Sequence, residues 1–292
     1  MKNNKEKIKK RYNIAELAWP DIREFQKDSD IIMIPFGSCE LHGAHLPNGT
    51  DTFQCRAIVQ RAAEIANVPY TEPLMFGYSP HHIRQPNSGW GTITLRSQTL
   101  LDVLYDIGKS CIHHGWNKLM YVSGHSSNLK ITDPLMRKMR YETGALIALC
   151  HPYAESYLGI IKEYMDGPEE ETPGWHAGEL ETAQIMAYDE SLVRMDRAKK
   201  CKAKSIDWLP AEFSKKDGNW GVELDGYEYF YFPMEHYEFA PEGIMGDPFR
   251  ATKEKGQKCI EAYAKHLAKA LELLKPLKWG DRIKQREFVN RT

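Results

Sequence analysis

The apolar positions of the chain fall into short continuous runs separated by stretches of helical period. Residues 31–35, 119–122 and 146–149 read IIMIP, LMYV and LIAL. Runs of this length without polar alternation predict strands buried on both faces of a parallel sheet. Between them, residues 52–66 place apolar side chains at 55, 58, 59, 62, 63, 65 and 66, the spacing of an amphipathic helix. Residues 97–112 repeat that pattern, with Ser97 as N-cap and Gly115 beyond the end, and 129–143 supply a third helix. Residues 252–274 form the clearest amphipathic helix, capped by Thr252 within the GDPFRAT string, to which we assign no chemistry. The alternation predicts an α/β fold: a single domain with a mostly parallel central sheet and helices on both faces.

The rest is less periodic. Residues 14–25 predict a short helix or turn, and 73–95 a long loop ending in a short strand at 92–95. An acidic, Pro- and Gly-bearing stretch at 164–175 predicts an exposed loop. Residues 199–242 mix charged and aromatic segments, with a strand at 227–232. The expected organisation is a basic arm over 1–13, one domain over 14–276 and a tail over 277–292.

Composition narrows the partners. The 292 residues are 42% hydrophobic and 27% charged, ordinary for a globular protein, and 39 basic against 40 acidic side chains give a net charge of -1. That balance offers no footprint for nucleic acid or an anionic membrane, and no uncharged stretch is long enough to span a bilayer. The expected partner is a polar small molecule. Six scattered cysteines without a CxxC pair argue against a disulfide framework or a zinc knuckle, and fit a reducing cytoplasm.

Candidate chemistry concentrates where the first strand ends. Glu40 and His42 are two residues apart, so in extended backbone both project to one side with Cα atoms roughly 7 Å apart. This spacing suits two neighbouring metal ions better than one. Asp51 follows a loop containing Pro47, Asn48 and Gly49, which can fold a carboxylate back between them. A carboxylate has two oxygens and can bridge. The second strand runs into SGHSSN at 123–128, repeating the arrangement with His125, and 175–188 brings His176, Glu179 and Glu181 to a helix start. Either glutamate could face solvent. The 78–90 loop, with His81, His82 and Arg84, could line a pocket or be solvated. The aromatic run at 227–239 could wall a pocket, form a subunit interface or fill the core.

Four strings, GSCELHGAHLPNGTD at 37–51, SGHSSN at 123–128, HAGELETA at 176–183 and GIMGDPFRATKEKG at 243–256, together resemble the creatininase (creatinine amidohydrolase) family. The resemblance runs from Trp19 to Leu274. It implies a homohexamer of α/β subunits, each holding two divalent ions, Zn or Mn with Fe as a further option, that activate water to hydrolyse an amide. By position it implies Glu40, His42, Asp51, His125 and Glu181 as metal ligands, Asp51 bridging, and His176 in proton transfer. Two divalent ions bring four positive charges and the five ligands three negative ones, so one bridging hydroxide neutralises the site. Substrate contacts are expected from His82, Arg84, Trp90, Ser127 and Trp175.

The chain also departs from the family pattern. Ser127 stands where the creatinine-hydrolysing branch has an acidic residue, GWGT at 89–92 replaces the usual FPGT, and Ala183 replaces a common Ser. The ligands stay while pocket residues change, which implies hydrolysis of a different small, polar, cyclic substrate at a C–N bond. Alternatives are ring-opening C–C hydrolysis of an inositol-derived cyclic diketone of the 3-dehydro-scyllo-inosose type and, from another class, a non-catalytic metal-binding scaffold.

Overall fold

The computed structural model describes residues 10–85, 88–152, 159–167, 176–204, 206–214 and 222–286. Its centre is a parallel sheet of β1 (Ile31–Phe36), β2 (Lys118–Ser123) and β3 (Leu146–Cys150), in the order β1-β2-β3. Successive side chains of a strand point to opposite faces, and both faces of β1 are covered. Ile31 and Met33 pack with Ile58, Ala62 and Leu267, whereas Ile32, Ile34 and Phe36 pack with Leu100, Leu104 and Met139. This is why the run carries no polar alternation.

One layer contains α2 (Thr50–Ala66), α5 (Glu179–Asp189) and α7 (Lys253–Leu274), with α7 packed on both α2 and α5. On the other face lie α1 (Trp19–Asp28), α3 (Ser97–His113) and α4 (Ser126–Thr143). A small antiparallel sheet, β4 (Phe213–Ser214), β5 (Val222–Leu224) and β6 (Tyr227–Phe230), precedes the one-turn helix α6 (His236–Phe239). Among the described residues no helix is long and apolar enough to cross a membrane. All six cysteines are free thiols.

Several expectations shift in detail. Residues 92–95 form no strand: Ile93 N donates to Cys39 O and Leu95 N to Gly77 O, so the segment divides its pairing between two partners and keeps one isolated bridge. Ser97 is the first residue of α3, with Arg96 at the cap position, so its hydroxyl comes too late to cap the helix. Helix α4 starts at Ser126, which brings Ser127 and Asn128 into its first turn, and it runs through Pro134. Thr252 does cap α7, accepting from Lys255 N at 3.2 Å. Beyond α7 the chain stays in contact with the body, with Lys284 N donating to Thr143 O and Trp279 Nε1 to Gly144 O.

The register fixes where chemistry can collect. Phe36 lies beside Ser123 and Val122 beside Cys150, so the segments after all three strands emerge at one edge of the sheet. In open α/β sheets the carboxyl ends of the strands are the usual ligand-binding edge.

Candidate metal centre

Two glycines let helix α2 reach that edge. A Cβ on Gly124, just after β2, would collide with Asp51 O and Cys55 Cβ; one on Gly37, just after β1, would collide with Thr52. Without side chains at these points, the first turn of α2 settles onto both strand exits and carries Asp51 between them. The loop bearing Glu40 and His42 closes through Glu40 N donating to Asn48 O at 2.8 Å.

The result is two groups of three buried side chains sharing Asp51. Glu40, Asp51 and His125 form one; His42, Asp51 and Glu181 form the other. Within each group the ligand atoms lie within 4.8 Å of one another. Asp51 Oδ2 is 3.1 Å from His125 Nδ1, and Asp51 Oδ1 is 3.4 Å from His42 Nε2. His42 Nε2 is also 3.5 Å from Glu181 Oε2, and His125 Nε2 is 3.3 Å from Glu40 Oε2. Each oxygen of one carboxylate thus serves a different group.

Neighbouring carbonyls set the tautomers. His42 Nδ1 lies 3.0 Å from Glu40 O, and donating there leaves a lone pair on Nε2; His125 Nε2 lies 3.2 Å from Tyr78 O, which leaves one on Nδ1. These lone pairs face carboxylate oxygens. His42 Nε2 and Asp51 Oδ2 are buried with no hydrogen-bond partner. Acceptors facing acceptors in a buried site require positive charge between them, from protons or from metal ions, and the donor set fits divalent transition ions. Where protons fill that role, the imidazoles shift. Burial alone would push His125 down, but the carboxylates of Glu40 and Asp51 outweigh it and raise His125 to about 9. His42 follows the same balance, burial opposed by Glu181 and Asp51, and ends well above its ordinary value. Glu40 ends well below the usual carboxylate range, because His125, His82 and His42 outweigh its burial.

The two glutamates at the start of α5 separate. Glu181 accepts from Ala177 N at 2.6 Å and faces His42, whereas Glu179 accepts from Asp166 N and Gly167 N and pairs with Lys255 Nζ at 2.5 Å. Ala177 takes the left-handed conformation, φ 52°, which for an L-residue costs about 1–2 kcal/mol. The turn it makes aims its own N–H at Glu181.

His176 donates from Nε2 to Leu41 O at 2.6 Å and stacks on His42 with ring centroids 4.1 Å apart. Its Nδ1 lies 3.9 Å from Glu40 Oε1. Burial, helped by His42 and His82, holds its pKa well below the ordinary value. Met245, in the 243–256 string, has a positional role: it and His176 bond through both backbone groups.

A cavity of about 800 Å³ opens over these groups. His82, Arg84 and Ser127 line it, Arg84 at an exposed position and His82 with Nε2 3.4 Å from Glu40 Oε1. Trp90 does not: its side chain is 70% exposed and its role here is a carbonyl that accepts from Asn48 Nδ2. Gly89 and Gly91, both at positive φ, turn the backbone so that the ring faces outward. Trp175 falls outside the described residues.

The sequence reading left out two histidines in the cavity wall. His151 follows β3 directly, as His125 follows β2; its Nδ1 donates to Ser123 O at 2.9 Å, and burial lowers its pKa to about 4. His236, on α6, stacks on His82 at 4.2 Å and meets His176 edge-on at 4.5 Å. Strand-exit position would have flagged the first. The second had one signal, a histidine inside the aromatic 227–239 string, whose Tyr231, Phe232 and Phe239 line the cavity.

Comparison with known proteins agrees with this architecture. The chain is 28% identical over 262 residues to the 3-dehydro-scyllo-inosose hydrolase of Thermotoga maritima, covering 87% of this chain and 80% of that protein. It is 26% identical over 278 residues to the creatinine amidohydrolase of Pseudomonas putida, covering 88% and 95% respectively. A solved creatininase variant of zinc–zinc type superposes with a TM-score of 0.69 at 23% identity, over 92% of this chain and all of that one, which establishes the fold. The profile described as Creatininase: Creatinine amidohydrolase matches residues 15–271, most of the chain, and the protein therefore belongs to the creatininase family of hydrolases.

Proposed function

We propose that the protein is a dinuclear metal-dependent hydrolase in which Glu40, Asp51 and His125 hold one divalent ion and His42, Asp51 and Glu181 the other. The observation that carries this reading is the shared Asp51, whose two oxygens face lone pairs on two different imidazoles. Zinc, manganese and iron all suit such a set of two imidazoles and three carboxylates. Ions held there supply Lewis-acid polarisation of a carbonyl and activation of water near neutral pH. The substrate is a small, polar, cyclic molecule opened at a C–N bond.

His176 moves the proton. Its Nε2–H is committed to Leu41 O, which fixes the ring and leaves the Nδ1 lone pair beside Glu40 Oε1. At Nδ1 it takes the proton released as water adds to the carbonyl and passes it to the departing nitrogen. With that N–H held, Nδ1 is the nitrogen of the ring left to accept. His42, stacked beneath it, limits its rotation.

The test is metal analysis combined with turnover. We expect two transition ions per chain, loss of both in Asp51→Ala, and loss of activity on chelation with recovery on reloading. Full turnover of a metal-free protein would overturn the reading. Absence of hydrolysis across a broad panel, with metal bound, would favour a non-catalytic scaffold.

A second reading is ring-opening C–C hydrolysis of a cyclic diketone of the 3-dehydro-scyllo-inosose type. The relative in Thermotoga maritima supports it, and so does a cavity wall of His82, His151, His236 and Ser127, whose single donors and acceptors match hydroxyl groups. Comparing turnover of cyclic amides with that of cyclic diketones separates the two. The same reading carries assembly as a homohexamer in a reducing cytoplasm, and light scattering of the purified protein checks the assembly.

A further inference from the structure

Beside the groups that share Asp51 lie two more clusters of ligand type: one joins His176 to Glu40 and His42, and the other is made of His82, His176 and His236. His82 ends the 3-10 turn Pro80–His82, His176 precedes α5, and His236 opens α6. All three are buried, and one ligand atom from each falls within 4.8 Å of the other two.

Two observations indicate a ligand as well as packing. His82 Nδ1 is buried without a hydrogen-bond partner. His176, with Nε2–H held by Leu41 O, turns its Nδ1 lone pair towards Glu40 Oε1, which is also 3.4 Å from His82 Nε2. Glu40 therefore presents a carboxylate oxygen to this cluster, while its other oxygen accepts from Ser38 Oγ and faces His125.

We propose that His82, His176 and His236 form a third cation site, distinct from the two groups around Asp51, and that an ion bound there inhibits the enzyme. Three imidazoles with one carboxylate oxygen at the edge select borderline ions such as zinc, nickel or copper over magnesium or calcium. The inhibitory part rests on the reading of His176 as the proton carrier, because an ion on Nδ1 takes the lone pair that the reaction needs. Excess zinc then slows turnover without displacing the ions at Asp51.

The experiment is equilibrium dialysis of the purified protein against Zn²⁺, with turnover measured in parallel. Wild type is expected to bind a third equivalent per chain beyond the first two, with activity falling as it binds. His236→Phe keeps an aromatic ring in the stack; it should lose the third equivalent while retaining the first two, and whatever turnover it keeps should no longer fall with added zinc. Asp51→Ala, stripped of the paired ions, should still bind one equivalent, and Asp51→Ala with His236→Phe should bind none. Cobalt reports independently, since a nitrogen-rich site adds visible absorption that His236→Phe should remove. Absence of a third equivalent in wild type, or its persistence in His236→Phe, would overturn the site and leave a stack of histidines. Failure of the Asp51 reading shows differently, as two ions that survive Asp51→Ala.

Discussion

Asn128 ties together the segments that carry the candidate ligands, and replacing it with leucine tests how much the centre depends on that tie. Its side chain is fully buried in the first turn of α4. Nδ2 donates to Gly37 O at 3.0 Å, at the exit of β1, and more weakly to Ser123 Oγ at 3.4 Å, while Oδ1 accepts from Tyr78 N at 3.0 Å. Leucine has the same number of side-chain heavy atoms, so no cavity opens, although its two methyl groups are bulkier than the amide and add a packing cost of their own. What changes is that Gly37 O and Tyr78 N lose their partners, at about 1–3 kcal/mol each, or roughly 2–6 kcal/mol together. Urea unfolding of the metal-stripped protein measures this. The same variant should bind zinc about 10–100-fold more weakly, the usual scale for loss of a group that orients metal ligands, because the Glu40 loop and His125 no longer share an anchor. If Asn128→Leu unfolds within about 0.5 kcal/mol of wild type and binds zinc equally well, the reasoning fails, since a surface substitution of no structural importance falls in that range.

Other substitutions separate neighbouring roles. Glu181→Gln should cost metal, whereas Glu179→Gln should leave the metal content intact and loosen residues 166–167, read as faster amide exchange; equal metal loss in both would refute their separation. Gly124→Ala should destabilise the protein by about 1–3 kcal/mol and lower metal content, because the added methyl group pushes against Asp51 O and the first turn of α2; an unchanged urea midpoint would sink this. His151, lowered by burial to about 4 against ~6.5 when unfolded, contributes stability that is full above pH 6.5 and lost as pH falls towards 4. The gap corresponds to about 3 kcal/mol, and His151→Asn, which keeps a donor for Ser123 O, should flatten that part of the pH–stability curve; an unaltered curve would refute the assignment. Trp90→Ala, at an exposed ring, should leave turnover within about twofold of wild type, and a larger loss would return Trp90 to the substrate contacts.

Much of the fold was legible because its signals are local. Apolar runs of four or five residues with no polar alternation require cover on both faces, and the 52–66 and 252–274 stretches repeat every third or fourth position as a buried helical stripe must. Residues 92–95 look like a strand yet form none, because pairing there is split between Cys39 and Gly77, a partnership that no pattern within the segment records. The early start of α4 was hidden in the same way, since its first turn looks like a polar loop and is held by bonds from Asn128 to distant backbone.

The sequence by itself determined which side chains stand at the strand exits: Glu40 and His42 after the first, His125 after the second. It also supplied the glycines that let a helix close over them. Only the tertiary structure decided how these groups divide. Parallel register set the three strand exits level, the bare backbone at Gly37 and Gly124 let α2 descend, and Asp51 came to rest with one oxygen towards each imidazole. The same packing turned Glu181 inward and Glu179 towards Lys255, sent Trp90 to the surface and drew His236 in from α6. Helix and strand periods report which face of a segment is buried. Which lone pair meets which carboxylate depends on distances between segments far apart in the chain, and those are set only when the layers pack.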